Sequence, residues 1–416
     1  MAARSFYIEN ARWLGAGVAL TAGTSFGQTF FISLFAGHIM TEYGLSHGEW
    51  STIYLIGTLV SAGVLLQAGR LADVLTVRLL AVLIIALYAS VCIGMAVNSS
   101  VWVLPVLIFG LRFCGQGMMG HIAVTAMARW FDSHRGRAVA FAGLGYALGE
   151  AVLPPLAIPV MTWVGWREAW LIAAAVLAVL LLPLVVWLLR QERTPRHQSV
   201  ENTRAGLGAR HWSRPEALRH WLVWAVLPGV ITPSFIGTVI FFHQVHLAEV
   251  KGWDLSVMAL AYTVYAGATI VMALAAGWLV DRFGAATLLP VYLLPLGAGT
   301  WLIGPVGGVD GWFFALLLVG ATTGIANAMW GGFWAESYGT RHLGAIKALA
   351  TAAMVLGSAI GPFVTGWAID WGAPFPDQCL WMGLWCVGIS ALFYGVLRRL
   401  TSERSALRAR PETGSS

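Results

Sequence analysis

The sequence predicts an all-α membrane protein of about twelve spans arranged as two pseudo-symmetric six-helix bundles, and three observations predict it. The first is composition: 58% of the 416 residues are hydrophobic and 11% charged, against roughly 45–50% and about 25% in ordinary soluble proteins. The second is the length of the apolar runs, each near the ~20 residues a helix needs to cross a bilayer core of about 30 Å. The third is a repeat. Gly69-Arg70-Leu71-Ala72-Asp73, closing with Arg78, returns 208 residues on as Gly277-Trp278-Leu279-Val280-Asp281-Arg282, and Tyr54/Tyr262, Gly136/Gly344, Gly149/Gly357 and Pro154/Pro362 share that interval. Several matches in one register inside apolar segments argue for an internal duplication.

Taken in order, α1 is expected at roughly 13–38, α2 at 50–68, α3 at 77–97, α4 at 101–126, α5 at 137–162 and α6 at 167–190. The run from Trp13 to His38 follows Arg4 and Arg12, is longer than a signal-peptide core and lacks a small-residue cleavage site, so it reads as a retained first helix. Gln191 to His220 holds six arginines with Pro195 and Pro215, too polar for a bilayer, and reads as a linker with an amphipathic piece. The pattern resumes with α7 at roughly 221–246, α8 at 256–278, α9 at 286–306, α10 at 310–334, α11 at 344–369 and α12 at 378–398. The expected organisation is therefore a bundle over 1–190, a linker over 191–219, a second bundle over 220–400 and a disordered Ser/Arg-rich tail over 401–416.

A formal charge of +6 raises the question of nucleic acid, but the basic residues lie between apolar runs and form no single face. One set of loops carries Arg70, Arg78, Arg129, Arg135, Arg137, Arg282, Arg341 and Lys347, whereas the opposite loops carry only Arg167 and Lys251. Positive charge gathers on the cytoplasmic side, so both termini and the linker are expected there, in a bacterial inner membrane. Cys92, Cys114, Cys379 and Cys386 show no C-x-x-C spacing and read as small packing residues, not as a metal site or disulfide framework. No cofactor is implied.

The duplicated loop, falling between α2 and α3 and again between α8 and α9, resembles the G-x-L-a-D-r-x-G-r signature of the major facilitator superfamily, and the resemblance covers essentially the whole chain. The first copy has Val74 and Thr76 where the pattern favours a basic residue and Gly; the second lacks the later basic residue. The resemblance implies gating on the cytoplasmic face by Gly69, Asp73 and Arg78 and by Gly277, Asp281 and Arg282, with Asp73 a lock on α11 near Gly344 and Asp281 its lesser counterpart near Gly136. An Asp at a helix terminus suits that role, since it accepts hydrogen bonds from unpaired N–H groups at the positive end of the dipole. Arg129-Trp130-Phe131, Arg135-Gly136-Arg137-Ala138, Gly165-Trp166-Arg167 and Trp334-Ala335-Glu336-Ser337-Tyr338-Gly339 look like the monocarboxylate-porter-like branch with its oxalate:formate-type bacterial relatives. Animal members of that branch place a Lys in α1 and an Asp/Arg pair in α8. Here Gln28 occupies the Lys position and α8 has no charge before Asp281, which argues against proton-coupled lactate transport by that route.

Charges deep in a bilayer are disfavoured by roughly 2.5–3.5 kcal/mol each on insertion scales, so Arg112 in α4 and Glu150 in α5 call for a reason. Both fall near the midplane, where alternating-access carriers bind solute. Arg112 suits a carboxylate clamp through its two-pronged guanidinium, with Glu150 holding it when empty or carrying a proton; a purely structural ion pair is the plainer reading. Gln28 and Asn327 are polar residues that can bond substrate or bridge helices, and Trp330 is a cavity candidate inside α10. His243, with Gln244 and His246, ends α7 and suits either an outer gate or an interfacial cap. Trp50, Trp102, Trp163, Trp312 and Trp371 fall at helix ends, as an aromatic belt would place them, and Gly145-x-x-x-Gly149 suits close helix packing.

An enzyme is not indicated. Gly23-Thr24-Ser25-Phe26-Gly27 matches G-x-S-x-G but lies inside an apolar helix without the strand-turn-helix context that activates the serine. No H-E-x-x-H or phosphate loop appears. The expected function is a secondary carrier of a small organic acid, working as a monomer, with the lipid bilayer, its solute and protons or a counter-anion as partners. The alternative is an exporter of hydrophobic or drug-like compounds.

Overall fold

The computed structural model describes residues 2–131, 134–191, 193, 205–305 and 307–408. Among these, ten helices are long and apolar enough to cross a membrane: α2 His47–Ala68, α3 Val77–Val97, α4 Val101–Trp130, α5 Arg135–Val164, α6 Trp166–Leu188, α7 Trp221–Phe242, α8 Leu255–Phe283, α10 Asp310–Tyr338, α11 Leu343–Asp370 and α12, whose apolar stretch is Phe375–Glu403. α1 is a bent pair, Ala11–Gly27 and Thr29–Tyr43, meeting at 42°. The described residues form helices and no strand, as expected, but three spans differ from their sequence pattern.

α1 is not one rod. After Gly23 the chain tightens to a 3₁₀ turn over Thr24–Gly27, and Gln28 is extended at φ −82°, ψ 153° before helix resumes at Thr29. The Thr24 hydroxyl donates to the Thr21 carbonyl at 2.6 Å, a local bond that competes with the regular ladder and bends helices. α9 keeps only Leu294–Ile303 as regular helix, preceded by a 3₁₀ turn at Ala285–Leu288. Pro290 and Pro295 lack the N–H donors a longer helix needs. The first-turn N–H of Leu296 bonds the Thr322 hydroxyl of α10 at 2.9 Å instead. α12 continues to Arg408, beyond the expected end near 398, so 401–408 are helical; 409–416 lie outside the described residues.

Helix boundaries follow local chemistry. Ser46 and Glu49 form a capping box at the start of α2, and the Thr76 hydroxyl accepts from Leu79 N at 3.2 Å at the start of α3. In the described part of the linker, Ser213 and Glu216 cap the short helix Arg214–Arg219. Hydrogen bonds from the Ser213 hydroxyl and N–H hold the Glu216 carboxyl below its usual range.

The chain groups into two compact units. The first gathers 1–200, 238–266 and 359–373; the second gathers 201–237, 267–358 and 374–416. In the first, α5 lies directly along α1: a Cβ on Gly145 would collide with Thr21 Oγ1 and the Val18 carbonyl, and one on Gly149 with Ser25 Oγ. The small-residue pair therefore does what its spacing suggests, and Thr21 Oγ1 uses the close approach to bond the Ala142 carbonyl at 2.5 Å. In the second unit Tyr292, fully buried, bonds the Gly229 carbonyl at 2.6 Å. The four cysteines are all buried and free, as packing residues. Trp102, Trp163 and Trp371 are exposed as a belt requires, but Trp50 and Trp312 are buried, Trp50 stacked on Phe242 at 6.0 Å. Position along a span does not say which face a ring takes.

Gly149→Ala is expected to destabilise the detergent-solubilised protein by about 1–3 kcal/mol through overpacking. Gly143→Ala, on the same helix with no atom within 4 Å of an added Cβ, should be neutral or stabilising by up to about 1 kcal/mol. Thermal unfolding of the two variants checks this.

Candidate functional site

The break in α1 meets an irregularity in α4. Arg112–Met119 is a π-helical segment, a widening frequent at functional positions. It brings Gly115 against Gly27 so closely that a Cβ on Gly115 would stand 2.8 Å from the Gly27 Cα. Only two facing glycines permit that approach.

Arg112, on the first turn of this segment, is 1% exposed. Its Nη1 donates to the Gly27 carbonyl and to Thr29 Oγ1, both at 3.3 Å. The Thr29 and Tyr54 hydroxyls share a hydrogen bond of 2.5 Å, and the guanidinium carbon sits 5.2 Å from the centroid of the Tyr54 ring, within cation–π range. Arg112 Nε has no hydrogen-bond partner. Among the described residues no carboxylate pairs with Arg112. The site thus presents a desolvated cation held only by neutral groups, around unwound backbone.

Glu150 does not complete it. The Arg112–Glu150 ion pair considered from sequence does not form: Arg112 turns into the α1 break, while Gly149 is the α5 residue pressed on Ser25 and Glu150 lies one residue round the helix. Glu150 is half-buried, within electrostatic reach of Tyr146 and Tyr262. Beside it the Thr263 hydroxyl donates to the Ala151 carbonyl at 3.0 Å. Gln28 stands at the break itself, half-buried. Asn327 and Trp330 belong to the second unit. There Asn327 is exposed, and Trp330 meets Tyr292 edge-on at 5.8 Å and stacks on Trp334 at 5.7 Å.

His243 is buried at the end of α7, one ring nitrogen 3.3 Å from the Pro362 carbonyl. It lines a separate cavity of about 260 Å³ with His47, Trp50, His246 and Glu249. Nearby, Asp370 at the end of α11 accepts from His47 N at 3.2 Å and Gly48 N at 2.8 Å, capping the first turn of α2. Sequence reasoning missed Asp370, Thr29 and Tyr54. The Tyr54/Tyr262 match at the repeat interval was the one available signal.

The first duplicated loop is held from α4: Arg129 Nη1 donates to the Ala72 carbonyl at 2.6 Å, and His121 Nε2 lies 3.1 Å from the Gly69 carbonyl. Arg70 and Arg78 are exposed, and the Asp73 side chain lies outside the described residues. In the second copy Gly277 is half-buried and Asp281 exposed, and the Arg282 guanidinium sits 5.4 Å from both the Trp278 and Phe283 rings. That loop too is held by a charged residue, Glu336 of α10, which accepts from Ala285 N at 2.9 Å.

Repeated spans, a broken first helix and a buried polar site within the first unit are features of membrane carriers. The chain belongs to the Major Facilitator Superfamily, whose family model matches residues 18–259 and 233–415. It is 27% identical over 202 residues to YcxA, an MFS-type transporter of Bacillus subtilis, covering 46% of either chain. It is also 26% identical over 271 residues to the phosphoglycerate transporter protein of Salmonella typhimurium, covering 59% of this chain and 57% of that one. Each match thus spans about half the relative's length. In fold it is similar to a bacterial homologue of the human lysosomal transporter Spinster, in an inward-facing, unoccupied conformation, with a TM-score of 0.71 at 14% identity over 95% of this chain and 98% of that one. The nucleoside transporter NupG is similar as well, with a TM-score of 0.69 at 11% identity over 93% and 99%.

Arg129→Ala is expected to release the Ala72 carbonyl from a charged donor, a loss of roughly 1.5–3 kcal/mol in local order. Hydrogen–deuterium exchange across 69–76 should then quicken by about tenfold or more while α2 and α3 keep their protection.

Proposed function

We propose that the protein carries a small organic anion of the carboxylate class by alternating access, with Arg112 as the anion's anchor. One observation carries this reading: a guanidinium buried in an apolar bundle with neutral partners and no carboxylate. Such a charge is costly, and an anionic solute offsets the cost each time it binds. The guanidinium fork suits two carboxylate oxygens, which would replace the Gly27 carbonyl and the Thr29 hydroxyl as acceptors. The relative named for phosphoglycerate, an acidic solute, supports an anionic cargo.

In this reading Gln28, at the break, bonds the solute's polar end; Asn327 and Trp330 supply contacts from the second repeat; and Glu150, unpaired with Arg112, carries a coupling proton. His243 belongs to the gate at the end of α7. The moving bodies are 1–190 and 220–400, joined by the 191–219 linker, with 401–408 continuing α12. The loops of Gly69, Asp73 and Arg78 and of Gly277, Asp281 and Arg282 gate the cytoplasmic face of a bacterial inner membrane, and the protein works as a monomer with both termini in the cytoplasm.

Counterflow of a labelled carboxylate panel into proteoliposomes tests the cargo. Arg112→Ala and Arg112→Lys should each weaken apparent affinity by about 10–100-fold, Lys failing because it lacks the fork; Glu150→Gln should keep counterflow but lose its response to a pH gradient. Undiminished carboxylate uptake by Arg112→Ala overturns the anchor, and efflux of lipophilic compounds without carboxylate transport favours the drug exporter. Asp73→Asn should lower turnover severalfold with substrate affinity unchanged; a large affinity loss with normal turnover would move Asp73 from gating to binding.

A further inference from the structure

Beyond the break, α1 resumes with one α turn, Thr29–Ile32, that passes straight into a 3₁₀ turn over Ser33–Phe35 and the helix Ala36–Tyr43. Two side chains grip it at successive residues. Arg112 holds Thr29 through its hydroxyl, at 3.3 Å. Gln244, 1% exposed just past the end of α7, holds Phe30: its Nε2 donates to the Phe30 carbonyl at 3.0 Å and to Ser33 Oγ at 2.9 Å. The Gln244 Oε1 accepts from the Tyr262 hydroxyl at 2.9 Å. Both amide protons and the amide oxygen are engaged, so the side chain has one fixed orientation.

The grip lies where the two repeats meet. Ser33 donates to the Phe241 carbonyl at 2.6 Å across a separation of 208 residues, the interval of the repeat. A Cβ on Gly37 would stand 3.2 Å from Val245 Cγ1, again 208 residues apart. Both contacts thus join a residue to its own repeat mate. Yet the tie is one-sided: the repeat mate of Gln244 is Ala36, which has no group to return it.

We infer that Gln244 is a positioning residue that couples occupancy at Arg112 to closure of the α1–α7 contact, an inference that rests on Arg112 being the anion site. An anion that draws Nη1 from Thr29 leaves the Thr29–Ile32 turn fastened by Gln244 at Phe30. The strength of that bond then sets how readily α1 parts from α7 when solute is bound.

The test is disulfide formation between Gly37→Cys and Val245→Cys, with the four buried native cysteines changed to alanine, together with thermal shift by a carboxylate panel. With Gln244 present the pair should cross-link rapidly, and the transported carboxylate should slow it. Gln244→Leu and Gln244→Glu, which both lose the donors to Phe30, should cross-link about tenfold more slowly without ligand and be slowed by carboxylate more than wild type is, while keeping the thermal shift. Tyr262→Phe, which spares those donors, should behave as wild type. Wild-type cross-linking rates in both Gln244 variants overturn the coupling. A panel that neither shifts melting nor slows wild-type cross-linking overturns the anion reading and the coupling with it, and ligand-free rates still report whether Gln244 fastens α1 to α7.

Discussion

A guanidinium placed inside an apolar bundle without an acidic partner is the constraint around which the first unit is built. Burial takes the guanidinium out of bulk solvent, so its donors depend on acceptors from the protein, and Nη1 finds two while Nε finds none. Intact helices have none to offer, because their carbonyls are committed within the helix. The break in α1 solves this by offering the Gly27 carbonyl, and the π segment in α4 positions Arg112 to reach it. Gly27 and Gly115 remove the side chains that would keep the backbones apart, and Tyr54 covers the guanidinium face. Each irregularity is accounted for by the same charge.

The spans, the repeat and the buried charges were legible because each follows from a strong bulk rule: apolar length, fixed interval, and the cost of desolvating an ion. What surrounds Arg112 was not legible. Gly23-Thr24-Ser25-Phe26-Gly27 holds helix-weakening residues, but Gly145 and Gly149 show that small residues in a span also serve close packing, and composition does not separate the two uses. A π segment has no composition of its own. Arg112 and Glu150 looked like partners because their depths match, yet depth fixes only height along the bundle; rotation about each helix decided against the pair. The same limit explains Trp50 and Trp312, read as belt residues and found buried.

Acidic capping of a helix start, the role expected of the duplicated loop's Asp73 and Asp281, is made in the first unit by Asp370. Asp370 seats on the first turn of α2 with two backbone N–H bonds, where the dipole adds roughly 0.3–1 kcal/mol or more in a partly buried setting. Close packing secures it: a Cβ on Gly48 would stand 2.6 Å from the Trp367 ring, and the Trp367 indole donates to Thr52 at 3.2 Å. α11 and α2 are thus joined by a charge on a dipole, and α1 and α7 by a neutral amide. The first is screened by salt and the second is not.

Ser33 against Phe241 has a consequence for how a duplicated chain diverges. On a twofold axis, identical side chains meet themselves: two phenylalanines compete for one volume, and two hydroxyls each need the other as acceptor. Once the copies are independent, one position can supply a donor and its mate can turn its side chain aside and present only backbone, as these two do. At such a contact fusion into a single chain relieves a conflict that a symmetric dimer of half-length chains would keep.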